Sequence, residues 1–242
     1  MQRRLEDDLA SASEMVSAST PRREFLAQLG VGGAALAAAA IPLMPGDAFA
    51  GASRTASSGH ARTPWSEAWL DKITGKHKQF FDATEFNGGF AMVFAANFLN
   101  LYHEAYGLTD KDLTAVVGLR HMAMPMALPD AMWAKYKIGE TFKLADPATN
   151  APAVRNPFVH QDGVKFPGSD IPTLTNRGVI FTVCNVALTV LSGMAAKGAG
   201  ESADAAKQDW TQNLLPGMTL VPVGVLAVNR AQEHGCTYCY AG

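Results

Sequence analysis

From residue 77 onward, apolar and polar positions fall into two kinds of block. Short apolar runs, "HKQFFDA" (77–83), "LTAVVGLRH" (113–121), "GVIFTVC" (178–184), "MTLVPVG" (218–224) and "CTYCY" (236–240), read as strands. The run 113–121 has no polar alternation, as expected of a strand buried on both faces. Between these runs lie stretches of helical period. "FAMVFAANFLNLYHEAYG" opens after Gly88-Gly89, "PDAMWAKYK" (129–137) is short, and "NVALTVLSGMAAKG" follows Cys184 directly. "VLAVNRAQEHG" ends at Gly235, where glycine caps a last helical turn. Strand and helix in repeated alternation predict a parallel α/β sheet of about five strands with helices on both faces.

Two segments break the alternation. Residues 139–172 are rich in Pro, Asp, Asn and Gly, and 196–210 are small and polar. Long connections without a pattern of their own serve as lids or binding loops, and the first is expected to fold over one end of the sheet. No internal repeat is present. The domain predicted from these features spans 77–242, with 139–172 as an inserted loop or lid.

The N-terminal 50 residues have a different character. Arg22-Arg23 after Thr20-Pro21 is followed by Phe25-Leu26, a mild Ala/Gly-rich apolar run to Met44, and an A-x-A site at Ala48 and Ala50. This resembles a twin-arginine export signal, cleaved near Gly51, which implies a periplasmic protein carried out by the twin-arginine translocase. The run of about 20 residues is long enough to cross a bilayer, so an N-terminal membrane anchor is the alternative. Met15 offers a second start that would shorten the long n-region. Residues 51–64 are small and polar, and 51–76 reads as a flexible leader with a short helix.

Charge then narrows the partners. Four of the 20 basic and six of the 22 acidic residues precede residue 51, which leaves 16 of each. A neutral domain has no general electrostatic footprint for nucleic acid or anionic lipid. No G-x-G-x-x-G follows a strand, and neither G-x-x-x-x-G-K-[ST] nor G-x-S-x-G occurs, so nucleotide-binding and hydrolase motifs are lacking. No cofactor is called for.

In an open parallel sheet, ligands bind beyond the carboxyl ends of the strands. That rule selects Asp82, Glu85 and Asn87 after the first strand, Arg120 and His121 at the end of the second, and Cys184 and Asn185 at the end of the third. A thiol at a helix N-terminus meets unpaired N–H groups and the positive end of the helix dipole, which favour the reactive thiolate. A cysteine in an apolar strand is equally a small packed hydrophobe, and both readings of Cys184 stand. The terminal Cys236-x-x-Cys239 is conspicuous but badly placed. In a strand, i and i+3 lie about 10 Å apart and point to opposite faces, whereas a disulfide needs α-carbons within roughly 7 Å. Tyr240 follows in place of a haem-site His, and no second pair completes a zinc site. A separate constellation, His121 with Met122, Met124 and Met126, supplies soft ligands suited to monovalent copper, although Met also fills irregular apolar gaps.

"GVIFTVCNVAL" and "LLPGMTLVPVGVLAVNRAQEHGCTYCYAG" together resemble the DsrE/DsrF-like family of small sulfur-metabolism proteins. The shared features are an apolar strand ending in V-C, a helix, "LLPG", a strand ending V-P-x-G, and a helix with N-R-A-Q-E-x-G before a last strand. The resemblance covers 77–242 and is most specific over 178–242. It implies a flavodoxin-like fold, a small homo-oligomer, and a persulfide carried on Cys184 with His121 as neighbouring base or hydrogen-bond partner. A sulfur donor or acceptor protein, or a small thiol, would then be the partner. The alternative is a non-catalytic periplasmic binding module for copper or a small ligand, built on His121 and the Met loop. The chain departs from the family in its export signal, in the 139–172 insertion and in Cys236 and Cys239.

Overall fold

The computed structural model describes residues 65–242; the segment expected to be an export signal and most of the expected leader lie outside the described residues. The chain enters through a 3-10 turn at Leu70–Lys72 and forms β1 (His77–Ala83), α1 (Phe90–Tyr106) and β2 (Leu113–Leu119). Next come α2 (Asp130–Lys135), α3 (Ile138–Thr141) and α4 (Ile171–Asn176). Then β3 (Ile180–Cys184) runs into α5 (Asn185–Ala199), followed by α6 (Ala203–Gln212). The chain ends with β4 (Met218–Val221), α7 (Gly224–Glu233) and β5 (Thr237–Tyr240).

The five strands form one sheet in the order β4-β3-β2-β1-β5, and every pairing is parallel. This is the flavodoxin-like layering expected from the alternation, although flavodoxin itself has the order 2-1-3-4-5. β2 is buried along its whole length, as its unbroken apolar run predicts.

The period of two sends alternate side chains to two cores. Phe81, Val117 and Phe181 face the larger core with Met92 and Leu99 of α1, Trp133 of α2, Leu188 and Leu191 of α5 and Trp210 of α6. Phe80, Val116 and Ile180 face the smaller one, covered by Ala227 and Ala231 of α7 and by Trp69, Leu70 and Ile73. The asymmetry follows from topology. Steps from β1 to β4 move in one direction, so their right-handed crossovers stack on one face. The step from β4 back to β5 beside β1 reverses direction and places α7 alone on the other.

One expectation about a connection is corrected. Residues 196–210 are not a structureless loop, because Ser202 caps α6 through a hydrogen bond from Ala205 N. Ala206 and Trp210, four residues apart, are both buried, and the Trp210 ring meets Tyr136 edge-on at 5.7 Å. Lys135 bridges Glu201 and Asp209, each at 2.7 Å, and the Tyr136 hydroxyl donates to Asp209 at 2.8 Å.

The 139–172 insertion is held by specific contacts. Buried Asn156 donates through Nδ2 to the Met126 and Leu128 carbonyls at 2.8 and 2.7 Å. Phe158 stacks on Phe86 at 6.0 Å and lies against Gly89, whose φ of 80° only glycine adopts readily. The insertion therefore closes over the β1–α1 junction.

Candidate functional site

β3 and β4 are neighbours, yet α5 leaves β3 toward one face and α7 leaves β4 toward the other. Such a divergence opens a crevice beyond the carboxyl ends of the two strands. A cleft of about 440 Å³ occupies this position, lined by Cys184 and α5 on one side, by Val223, Gly224 and Val225 on the other, and by Arg120, His121 and Met122 at the end of β2.

Cys184 is both the last residue of β3 and the N-cap of α5. Its sulfur accepts a hydrogen bond from Ala187 N at 3.4 Å, which satisfies one of the free N–H groups of the helix start. The residue is 5% exposed and lines the cleft.

Arg120 runs along the cleft wall. Its Nε and Nη2 donate to the two oxygens of Asp82 at 2.7 and 2.8 Å, and the Tyr238 hydroxyl donates to Asp82 Oδ2 at 2.9 Å. The hydrogen-bonded Asp82 carboxylate holds the guanidinium above its usual range, with smaller contributions from Tyr238 and Cys184. The Arg120 stem crosses the start of α7 so closely that a Cβ on Gly224 would lie 2.7 Å from Arg120 Cβ. Gly224 is the glycine of the V-P-x-G strand end, and this approach is the physical reason for it.

The structure brings some of the expected residues together and separates others. Cys184, Arg120 and His121 share the cleft. Asp82 does not line it; the residue is 1% exposed and lies beneath Arg120. The Asn87 amide turns to the Ala241 carbonyl at 3.4 Å, away from the cleft. Asn185 opens α5 and is not among the lining residues. None of the 139–172 insertion lines the cleft either, so it is no lid for Cys184.

His121 falls just past β2, which ends at Leu119 and not at residue 121. Its backbone adopts φ 48°, left-handed and costly for a non-glycine residue. Its Nδ1 meets Glu85 Oε1 at 3.0 Å, and no hydrogen bond joins it to Cys184 among the described residues. Of the three methionines paired with it, Met122 lines the cleft, but Met124 and Met126 are fully buried in the larger core. The three-methionine ligand set is therefore corrected: two of its members pack the sheet. Among the described residues no group of three or more His, Cys, Asp or Glu is placed to hold a metal ion.

Cys236, just before β5, packs in the smaller core and Cys239, within β5, against the larger. Both are free thiols, as strand geometry requires. Burial pushes the Cys236 thiol up to about 11 and also raises that of Cys239.

Sequence reasoning overlooked the cleft walls. Val186, Val190 and Met194 follow one another at helical spacing on α5 and are about half exposed, as is Val225 of α7. The signal was available: α5 is apolar almost all round, whereas a helix against one core needs a single apolar stripe. Buried Ala187, Leu188, Leu191 and Ala195 supply that stripe and leave the other three in excess.

No family model and no curated protein matches the chain. Among solved structures it is similar to a protein of unknown function from Methanobacterium thermoautotrophicum, at 16% identity and a TM-score of 0.35, over 68% of this chain and 98% of that one.

Proposed function

We propose that the protein is an exported, DsrE-like sulfur carrier that acts through Cys184. The observation that supports this reading is the position of the Cys184 sulfur: capping a helix and facing a cleft at the divergence of β3 and β4. In the proposed step the Cys184 thiolate attacks the outer sulfur of a persulfide R–S–SH. The donor S–S bond breaks, R–S⁻ leaves, and the proton on the transferred sulfur passes to it. The products are the Cys184 persulfide anion and R–SH, so no external oxidant or reductant is needed. In this reading Arg120, held by Asp82, forms part of the cleft wall, and His121 stands on the rim without touching the sulfur. Asp82 is a positioning residue, acting on the site through Arg120.

The test is sulfur uptake by the full chain from a persulfide donor, read by non-reducing intact mass and a peptide map. The expected outcome is one added sulfur atom on the Cys184 peptide. Cys184→Ser keeps an N-cap acceptor and takes up none, whereas Cys239→Ser retains uptake. A Cys184→Ser protein that takes up sulfur like the wild type removes the reading.

A further inference from the structure

We infer that the Cys184 cleft selects thiols and persulfides whose organic group is apolar and uncharged, a short alkyl chain being the simplest case, over anionic ones. The inference rests on the sulfur-carrier reading of Cys184 and adds the class of R in R–S–SH.

Three observations carry it. The walls facing Cys184 are Val186, Val190, Leu191 and Met194 on one side and Val223 and Val225 on the other. Four of these, Val186, Val190, Met194 and Val225, are left 51–58% exposed by the fold, a contiguous apolar lining that the protein's own packing does not use. The volume of about 440 Å³ falls in the range of small-molecule sites, which bury most of a ligand against apolar side chains.

The polar groups of the cleft point the same way. Arg120 already gives two donors to Asp82, and His121 already faces Glu85. Each basic group thus has its own carboxylate, and the cleft offers an incoming anion no unpaired cation to replace its lost water. An anion buried without a partner is strongly disfavoured. An alkyl group loses only unfavourable hydration.

The third observation is the thiol itself. Cys184 is more than nine-tenths buried. Its sulfur accepts from Ala187 N, and no acceptor for its own S–H is present among the described residues. The sulfur is therefore reached through the apolar cleft, and the group that accompanies it has to fit there.

The experiment compares two mixed disulfides with the same pyridinethione leaving group, one carrying a butyl chain and the other a carboxyethyl chain. Each reacts by thiolate attack on the alkyl-bearing sulfur with release of pyridinethione. Rates are read on the peptide containing Cys184 in the full chain and normalised to those of the urea-unfolded chain. Butyl is expected to label about tenfold faster than carboxyethyl, from the burial of a few methylene groups. In Val190→Gln, a neutral change at an exposed position that removes apolar wall without adding charge, the ratio falls toward one. Met194→Lys, which supplies the missing cation, shifts it toward carboxyethyl.

A ratio of one or below in the wild type overturns the inference, as does a folded Cys184 that reacts with neither reagent. The two readings fail separately. Butyl selectivity with no retention of persulfide sulfur leaves the cleft preference standing and removes the carrier. Equal sulfur uptake from apolar and anionic persulfides leaves the carrier and removes the preference.

Discussion

Arg120 and Asp82 share an ion pair whose two members are unequally buried, with side-chain exposures of 28% and 2%. Removing Arg120 strands a carboxylate in the interior, whereas removing Asp82 leaves a guanidinium that can turn toward solvent. Breaking a buried pair costs about 3–5 kcal/mol when the remaining charge has no escape. Arg120→Met is therefore expected to destabilise by about 3 kcal/mol and Asp82→Asn by clearly less, as read from urea midpoints; equal losses would contradict the burial argument. The thiols give a second residue-scale prediction. Burial raises the Cys236 thiol from 9.0 to about 11, so the folded state holds a proton that the unfolded chain releases. The corresponding stability is present below pH 9 and is lost as pH rises from 9 to about 11. Comparison with Cys236→Ala isolates this loss, of order 2 kcal/mol at a factor of ten per pH unit, and parallel slopes would refute it. The position of Cys184 was legible in the sequence because an apolar strand met a helix there with no linker. The burial of Asp82 was not, since a strand-terminal carboxylate reads the same whether it faces a ligand or an arginine from the next strand.

At the scale of elements, strongly apolar runs revealed each strand to within two or three residues, and the reading failed where a few residues carried the decision. α6 was hidden by its small, polar composition. Its helical period rests on only Ala206 and Trp210, and the partner of Trp210, Tyr136, lies 74 residues earlier in the sequence. Truncation of Trp210 to Ala is expected to cost about 3–5 kcal/mol, the range for large buried aromatics, and to release α6 locally before the sheet unfolds. Faster amide exchange over 203–212 with β2 unaffected is the expected signature, and uniform acceleration would show instead that α6 is part of one cooperative unit. Gly118 makes a different demand. A Cβ there would lie 2.3 Å from Phe80 Cζ, so Gly118→Ala forces the buried Phe80 ring to move, at about 1–3 kcal/mol. Combining it with Phe80→Leu should recover part of that loss, giving a coupling that two independent sites would not show.

For the molecule as a whole, one reversal of strand order determines both the site and the distribution of stability. Because β4 returns to β5 across the sheet, β3 and β4 send their helices to opposite faces, and the cleft at their carboxyl ends follows. Alternating strands and helices were enough to predict the layers and to point to the carboxyl ends where the candidate residues lie. They did not give the order of the strands, which depends on pairings between distant segments, and so the walls of the cleft stayed hidden. The same reversal leaves one face under α7 and the Leu70–Lys72 turn alone, while the other carries α1, α2, α5 and α6. It also leaves β5 at an edge, paired only with β1 among the described residues, with Tyr238 and Tyr240 exposed. Local opening is cheapest where few buried contacts are lost. Native-state amide exchange should therefore be slowest in β2, buried along its length between β1 and β3, and fastest among the strands in β5. α7 should exchange before α5. The first turn of α7 also forms a wall of the Cys184 cleft, so a butyl group disulfide-linked to Cys184 should slow exchange in that turn and leave α1 unchanged. Protection of α1 to the same extent would mean that the modification stabilises the whole fold and does not fill this cleft.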